Sequence, residues 1–389
     1  MLRFLTSGES HGKALVSILE GFPARTPVDV AAINLDLKRR MGGYGRGGRM
    51  KIESDEIEVL AGVRHGYTLG SPIAFSIRNR DWENWTDVMS AQPNPPGAEK
   101  RRVTRPRPGH ADLAGALKYE FTDMRNVLER SSARETASRV AVGGFCKGLL
   151  KELGIRVYSH TIAVRDVRIS SAQLAEIGVG KIAQIEASEM RCVDPGLDAL
   201  MRAAVDQAIE RGDTIGGAFE VRAAGIPPGL GSYVHWDRRL DGLLAGAIMS
   251  INAVKAVEIG SGLDTGPYGS EYHDEIFYEE KTKDFYRKTN HAGGLEGGVS
   301  NGQEIVVRGD VKPIPTLKKP LMSVDLQTKA PFQAQYERSD TCVVPAAGVV
   351  GEAMVAIVLA QAVQEKYGSD TLDEIRANLE NHRRLMREL

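Results

Sequence analysis

Gly8-Glu9-Ser10-His11-Gly12 sets a histidine in a short glycine-flanked loop directly after an apolar stretch. A loop of this kind lets the backbone approach a ligand and places side chains at its edge. Imidazole titrates near neutral pH, so His11 is suited to giving a proton to a departing group; a solvated turn histidine is the plainer alternative. Residues 40–49 read RMGGYGRGGR, so Arg40, Arg46 and Arg49 alternate with glycines. Permanently charged forks on a backbone that folds tightly suit phosphate or carboxylate. A surface turn would share that composition, and so would an Arg-Gly segment binding RNA without catalysis.

Further segments carry the same chemistry. Arg105-Pro106-Arg107-Pro108-Gly109-His110 is stiffened by proline, with Asp112 as a candidate helix N-cap just beyond the histidine. Arg130-Ser131-Ser132-Ala133-Arg134-Glu135 brings hydroxyls and guanidinium groups to the start of a long helical pattern, an anion site or simply a cap with ion pairs. A glycine loop fills residues 290–298, and Lys312-Pro313-Ile314-Pro315-Thr316 follows a strand pattern. In Glu337-Arg338-Ser339-Asp340, Arg338 would hold Asp340 ionised as a base, unless the two form only a surface pair. The eight histidines show no HxxxH or HxH spacing, so no metal is expected. No P-loop, dinucleotide fingerprint or GxSxG elbow is present.

These loops need a frame. Hydrophobic periodicity predicts strands at residues 2–6, 14–20, 57–63, 73–77, 156–164, 257–259 and 304–310. It predicts helices at 30–41, 112–123, 134–152, 172–190, 197–210, 237–250, 348–366 and 371–387. Asp29 should cap the first helix and Gly42-Gly43 should end it in left-handed geometry, delivering Arg39 and Arg40 to the arginine–glycine loop. Residues 79–109 form a long Pro- and Arg-rich loop, a length usually reserved for function or disorder. With no low-complexity linker, the chain reads as a single α+β domain over 1–389.

Composition narrows the class. Among 389 residues, 42% are hydrophobic and 26% charged, the balance of a folded protein. Lysine and arginine total 50 against 51 acids, so the basic surplus of a nucleic-acid or membrane-surface binder is missing and any positive field is local. Three cysteines without a CxxC pair suggest a reducing compartment. There is no signal-like apolar run near Met1 and no uninterrupted apolar stretch of roughly 18 residues, so a cytoplasmic protein is expected.

Taken in order, Gly8–Gly12, the arginine-rich run at 39–49, Arg107-Pro108-Gly109-His110-Ala111-Asp112, residues 130–136, Ser250-Ile251-Asn252-Ala253-Val254-Lys255, residues 290–298 and Arg338-Ser339-Asp340 resemble the signatures of the chorismate synthase family along essentially the whole chain. Ala256 and Ala346-Ala347 depart slightly from its usual pattern. The resemblance implies helices sandwiched between antiparallel sheets, a homotetramer, and elimination of phosphate from 5-enolpyruvylshikimate 3-phosphate to give chorismate. It implies reduced FMN as cofactor, set against Arg130, Ser131, Ser132, Asn252, Ala253, Gly297, Lys312, Pro313, Ile314, Pro315, Thr316 and Arg338, with NADP contact at Arg40 and Arg46. Substrate would meet Ser10, His11, Arg40, Arg46, Arg49, Arg107, Arg134 and Arg338, since two carboxylates and a phosphate need several guanidinium groups. By the same resemblance His11 protonates the leaving phosphate, His110 balances charge on the reduced flavin, and Asp340 relays a proton from it. No segment reads as a flavin-reducing domain, so a separate reductase is expected to supply the cofactor.

Overall fold

A computed structural model describes residues 2–47, 54–93, 97–262, 268–334 and 340–388. Alternating apolar residues build a first antiparallel sheet from β1 (Arg3–Ser7), β2 (Ala14–Glu20), β3 (Ile57–Ala61) and β4 (Ile73–Arg78), in the order β1-β2-β4-β3. Leu15 and Leu19 on β2 and Ile73, Phe75 and Ile77 on β4 point to the core, while Val16 and Ile18 face out. Between β1 and β2 the chain turns sharply at Gly8, whose φ is +103° and where a Cβ would lie 2.4 Å from the Ala14 carbonyl oxygen. That turn raises the Ser10-His11 loop off the sheet end.

The second antiparallel sheet contains β5 (Arg156–Val164), β6 (Val167–Arg168), β7 (Gly217–Ala224), β8 (Val254–Ile259) and β9 (Ile305–Val311), ordered β8-β9-β7-β5-β6. Its central strands β5 and β7 are buried along most of their length.

The longer helices are α1 (Val30–Met41), α2 (Asp112–Tyr119), α3 (Arg125–Ser131), α4 (Thr136–Glu152), α5 (Pro195–Arg211), α6 (Leu240–Met249), α7 (Val344–Tyr367) and α8 (Leu372–Met386). Of these α1, α4 and α7 form the layer between the sheets, as expected. The 24-residue α7 is long and apolar enough in length and composition to cross a membrane, but 94% of its apolar window is buried inside the protein. It meets α4 so closely that a Cβ on Gly143 would fall 2.3 Å from that of Ala353. On its other side Gly351 faces Phe219 and Val221 of β7. One apolar core therefore runs from Leu2 to Leu379 through both sheets.

Several local expectations change. Asp29 caps α1 by accepting from Ala32 N, but Gly42 is extended and the left-handed residue is Gly43, with φ of +99°. Asp112 is the first residue of α2 and not its cap; its carboxylate turns back to Arg107 and His110. The long helix begins at Thr136 because Ser132 caps a separate 3-10 turn, Ala133–Glu135. The predicted 172–190 helix is two short ones, Ser171–Ala175 and Ile182–Ala187, parted by a segment containing Gly178 and Gly180.

Candidate active site

The Ser10-His11 loop is anchored on α3. Ser10 N donates to the Glu129 carbonyl oxygen (2.9 Å) and Ser132 Oγ donates to Ser10 Oγ (3.2 Å). His11 N donates to Glu129 Oε2, and His11 Nδ1 lies 2.8 Å from Glu129 Oε1. The imidazole stacks on Trp85 with ring centroids 3.7 Å apart, and the Arg101 guanidinium also lies over the Trp85 ring, 3.8 Å from its centroid. Burial alone would raise the Glu129 carboxyl, but His11, with Arg125 behind it, holds it below the usual carboxylate range.

Beside this loop the arginines from distant segments converge on one carboxylate. Arg134 Nη1 sits 2.6 Å from Asp55, and Arg134 Nε donates to Asn79 Oδ1. Asn79 Nδ2 in turn donates to the carbonyl oxygens of Glu9 and Gly12, tying Arg134 to the histidine loop. Arg40 Nε donates to Thr136 Oγ1 and Nη2 to the Ala133 carbonyl; Nη1 is buried, has no hydrogen-bond partner among the described residues and stands 3.7 Å from Asp55. Burial foremost, with the charges of Arg134 and Arg46 outweighed only in part by Asp55, pushes the Arg40 guanidinium down to about 10. The site holds more buried positive charge than Asp55 neutralises, and a bound anion would relieve it. Arg46 Nη1 lies 2.8 Å from Asp340 Oδ2, and Gly47 N donates to Asp340 Oδ1 (2.6 Å). The described partner of Asp340 is thus Arg46; Arg49 and Arg338 lie outside the described residues.

His110 is held in a parallel way. Its Nδ1 is 2.6 Å from Asp112 Oδ1, while Arg107 grips Asp112 through Nε (2.8 Å) and Nη2 (2.9 Å) and reaches Thr316 Oγ1 through Nη1 (3.1 Å). Burial opposes ionisation of Asp112, yet His110 and Arg107 hold its carboxyl far below the ordinary range. Arg107 is thereby committed to Asp112 and Thr316 and offers less of its fork to a substrate than the sequence suggests.

Among the described residues, the segments expected to meet a flavin form a continuous chain of contacts, with one exception. Asn252 Nδ2 donates to the Ser131 carbonyl (3.1 Å), Lys312 N to that of Ala253 (3.0 Å), and Lys312 Nζ to that of Gly109 (2.5 Å). Thr214 Oγ1 braces the Ile314 carbonyl at 2.7 Å, between Pro313 and Pro315. Arg130 donates to Gly8 O and Thr6 O, and it lines a cavity of about 540 Å³ with Ser132, Asn252 and Arg139. Ser131 Oγ is buried with no hydrogen-bond partner among the described residues. An open cavity with Arg130 in its wall, beside the Arg139–Glu135 pair, and an orphaned hydroxyl on the adjoining Ser131 are what a phosphate-bearing cofactor would satisfy, so these residues fit the group. Gly297 stands apart: its nearest side chain is Tyr233, and its hairpin contacts Gly231, Arg239 and Leu240.

Sequence reasoning misses Asp55, Asn79, Trp85 and Glu129. Its one available signal is charge balance, since clustered arginines in a chain of net charge −1 need buried acids. Arg39 is the opposite case. It turns away into the core and pairs with Glu352 (2.7 Å), Glu186 and Asp36.

The family model for chorismate synthase matches residues 2–364. Chorismate synthase of Solibacter usitatus is 55% identical over 383 residues, 98% of each chain. That of Desulforamulus reducens is 53% identical over 390 residues and all of both chains. A crystal structure of chorismate synthase superposes with a TM-score of 0.81 at 41% identity, covering 100% of this chain and 99% of the other.

Proposed function

The chain belongs to the chorismate synthase family, and from that premise we propose that the Ser10-His11 loop, the arginines around Asp55 and the His110 cluster carry that family's lyase reaction. In it 5-enolpyruvylshikimate 3-phosphate loses phosphate and a ring hydrogen to give chorismate. The observation that supports this assignment best is the set of three guanidinium groups, Arg40 and Arg134 at Asp55 and Arg46 at Asp340, which outnumber their two carboxylates, next to a histidine fixed by a buried carboxylate.

Arg40 and Arg134 bind and orient the anionic groups, with Arg40 Nη1 left without a hydrogen bond among the described residues and Ser10, Arg49, Arg107 and Arg338 completing the set. His11 gives a proton from Nε2 to an oxygen of the departing phosphate. Asp340, positioned by Arg46 and Gly47 N, accepts a proton at a carboxylate oxygen later in the cycle. Reduced FMN, when bound, supplies the electron that weakens the allylic C–O bond in an otherwise redox-neutral elimination. Arg130, Ser131, Ser132, Asn252, Ala253 and Lys312 through Thr316 would hold it, and His110 would balance its charge beside Lys312. Arg40 and Arg46 also carry the NADP contact that the family suggests; both belong to the anion site, so a nicotinamide nucleotide would compete there with substrate.

As part of the same reading, the enzyme works as a cytoplasmic homotetramer supplied with reduced FMN by a separate flavin reductase, without nucleic-acid or membrane partners. Leu5, Val16 and Ile18, exposed together on the outer face of the first sheet, support burial against another copy. The test is anaerobic incubation with the phosphorylated enolpyruvyl substrate and chemically reduced FMN, following the chorismate absorbance. Turnover should require the reduced flavin, and phosphate should appear in equal amount. Substrate unchanged under those conditions would reject the reading.

A further inference from the structure

We propose that Glu129 is the positioning residue that makes His11 a proton donor, an assignment that rests on the role of His11 given above. A neutral imidazole has one N–H and one lone pair, and which nitrogen carries the proton is set by the partner of the other. Glu129 offers only acceptors, and both its oxygens lie within 3.1 Å of His11 Nδ1. Nδ1 therefore keeps its proton, and Nε2 is the atom left for chemistry. The grip is two-point, because Glu129 Oε2 also takes the His11 backbone N–H at 2.8 Å. The ring cannot turn about this anchor without losing the 3.7 Å stack on Trp85.

The charge logic is specific as well. To donate from Nε2 the ring must be an imidazolium, and a buried cation is costly unless paired. The Glu129 carboxylate, 3% exposed, supplies that counter-charge, and Arg125, 3.4 Å away on the same helix, keeps it an anion. When the C–O bond to phosphate breaks, the Nε2 proton passes to a phosphate oxygen. His11 is left neutral with Nδ1–H still on Glu129, which takes no proton itself. Asp112 and His110 form a related arrangement at 2.6 Å, with Arg107 in the place of Arg125 but also 3.1 Å from the His110 ring itself. The pattern of buried carboxylate, histidine Nδ1 and a supporting arginine thus occurs at both histidines of the site.

The experiment is a double-mutant cycle on the full chain with chemically reduced FMN, using Glu129→Gln, Glu129→Asp, His11→Ala and His11→Ala/Glu129→Gln. Glu129→Gln keeps an acceptor but loses the charge, so kcat should fall about 10- to 100-fold with substrate KM nearly unchanged. Glu129→Asp should restore part of that loss. In the double variant, loss of Glu129 should add almost nothing to loss of His11. Nitrogen NMR of the histidine-labelled wild-type chain should show His11 protonated at Nδ1, assigned by its disappearance in His11→Ala. That measurement does not depend on any Glu129 variant folding. Multiplicative losses in the double variant, or a wild-type His11 protonated only at Nε2, would overturn the role of Glu129 while leaving that of His11 intact. Wild-type turnover in His11→Ala would overturn the underlying reading instead.

Discussion

Arg46 and Asp340 stand 2.8 Å apart, so each is the other's immediate environment, yet the proposed roles separate them. Arg46→Ala removes a charge-assisted fork to the substrate, an interaction worth roughly 1.5–3 kcal/mol or about 10- to 150-fold in affinity. Asp340→Asn keeps size and most hydrogen bonding while removing the base. Substrate affinity should survive in Asp340→Asn within a few-fold, and single-turnover conversion should slow. Equilibrium substrate binding in both variants, beside single-turnover spectra, makes the comparison. Equal losses of binding would mean that Asp340 only orients its arginine. Arg40 is tied to Thr136 and Ala133 and is pushed down by burial first and by its cationic neighbours second; Arg46 is the softer target for this experiment.

At the scale of elements, α7 carries an ionic group where its length and apolar surface demand none. Glu352, 1% exposed in the middle of that helix, pairs with Arg39 of α1 (2.7 Å), Lys147 of α4 (2.8 Å) and Arg191 (3.1 Å), and accepts from Ser159 of β5. Three elements of the helical layer and one strand are thereby fixed against one another. Removing the carboxylate charge takes one partner from buried Arg191 and from the half-buried Arg39 and Lys147, which keep only Asp36 and Glu186 among the described residues, and breaking a buried pair from one side costs about 3–5 kcal/mol. Glu352→Gln should therefore lower the urea midpoint by that equivalent, whereas a surface change such as Glu280→Gln should leave it within about 0.5 kcal/mol. If both variants unfolded at the wild-type urea concentration, the network would be idle. This network also accounts for Arg39, whose position at the end of α1 suggests a ligand contact that its direction denies.

For the whole molecule, acid should be the effective denaturant. Glu129, Glu220, Glu352 and Asp112 are all held below their ordinary values of 4.5 and 3.8, in each case against burial, by the histidines, arginines and lysine paired with them. A carboxylate depressed on folding stabilises fully above its unfolded value, and that contribution is lost as pH falls toward the folded one. The part of the stability owed to these groups should thus be constant above about pH 5 and fall steeply below pH 4. Urea midpoints followed by circular dichroism across that range test it; a midpoint that rose on acidification would contradict the sign. The four groups lie on α2, α3, α7 and strand β7 of the second sheet, so the loss should be cooperative.

How much of this is legible without a structure depends on the range of the interaction. Local rules place β2 and β5 and the helix over 30–41 to the residue, because side-chain periodicity and the Asp29 cap are written within a few positions. They fail where a loop and a cap compete. Asp112 reads as a cap until Arg107 and His110 claim its carboxylate. The chemical repertoire is also in the sequence: histidines in rigid loops, arginines among glycines, and an order of motifs that points to one family. Which charge meets which is not. Asp55 serves Arg40 and Arg134 from a segment that resembles neither, Glu129 reaches His11 across 118 positions, and Arg39 diverges from its neighbour Arg40 into the core. Pairings of this kind are set by the packing of α1, α4 and α7 between two sheets and of α3 against the His11 loop, and desolvation there rewards only the combination in which each buried charge finds its counterpart. The sequence by itself determined the motif-borne histidines, arginines and Asp340 and most of the elements that carry them, but not α3, which bears Glu129. Tertiary structure decided their partners, because electrostatic complementarity in a buried site depends on distance in space and not on separation along the chain.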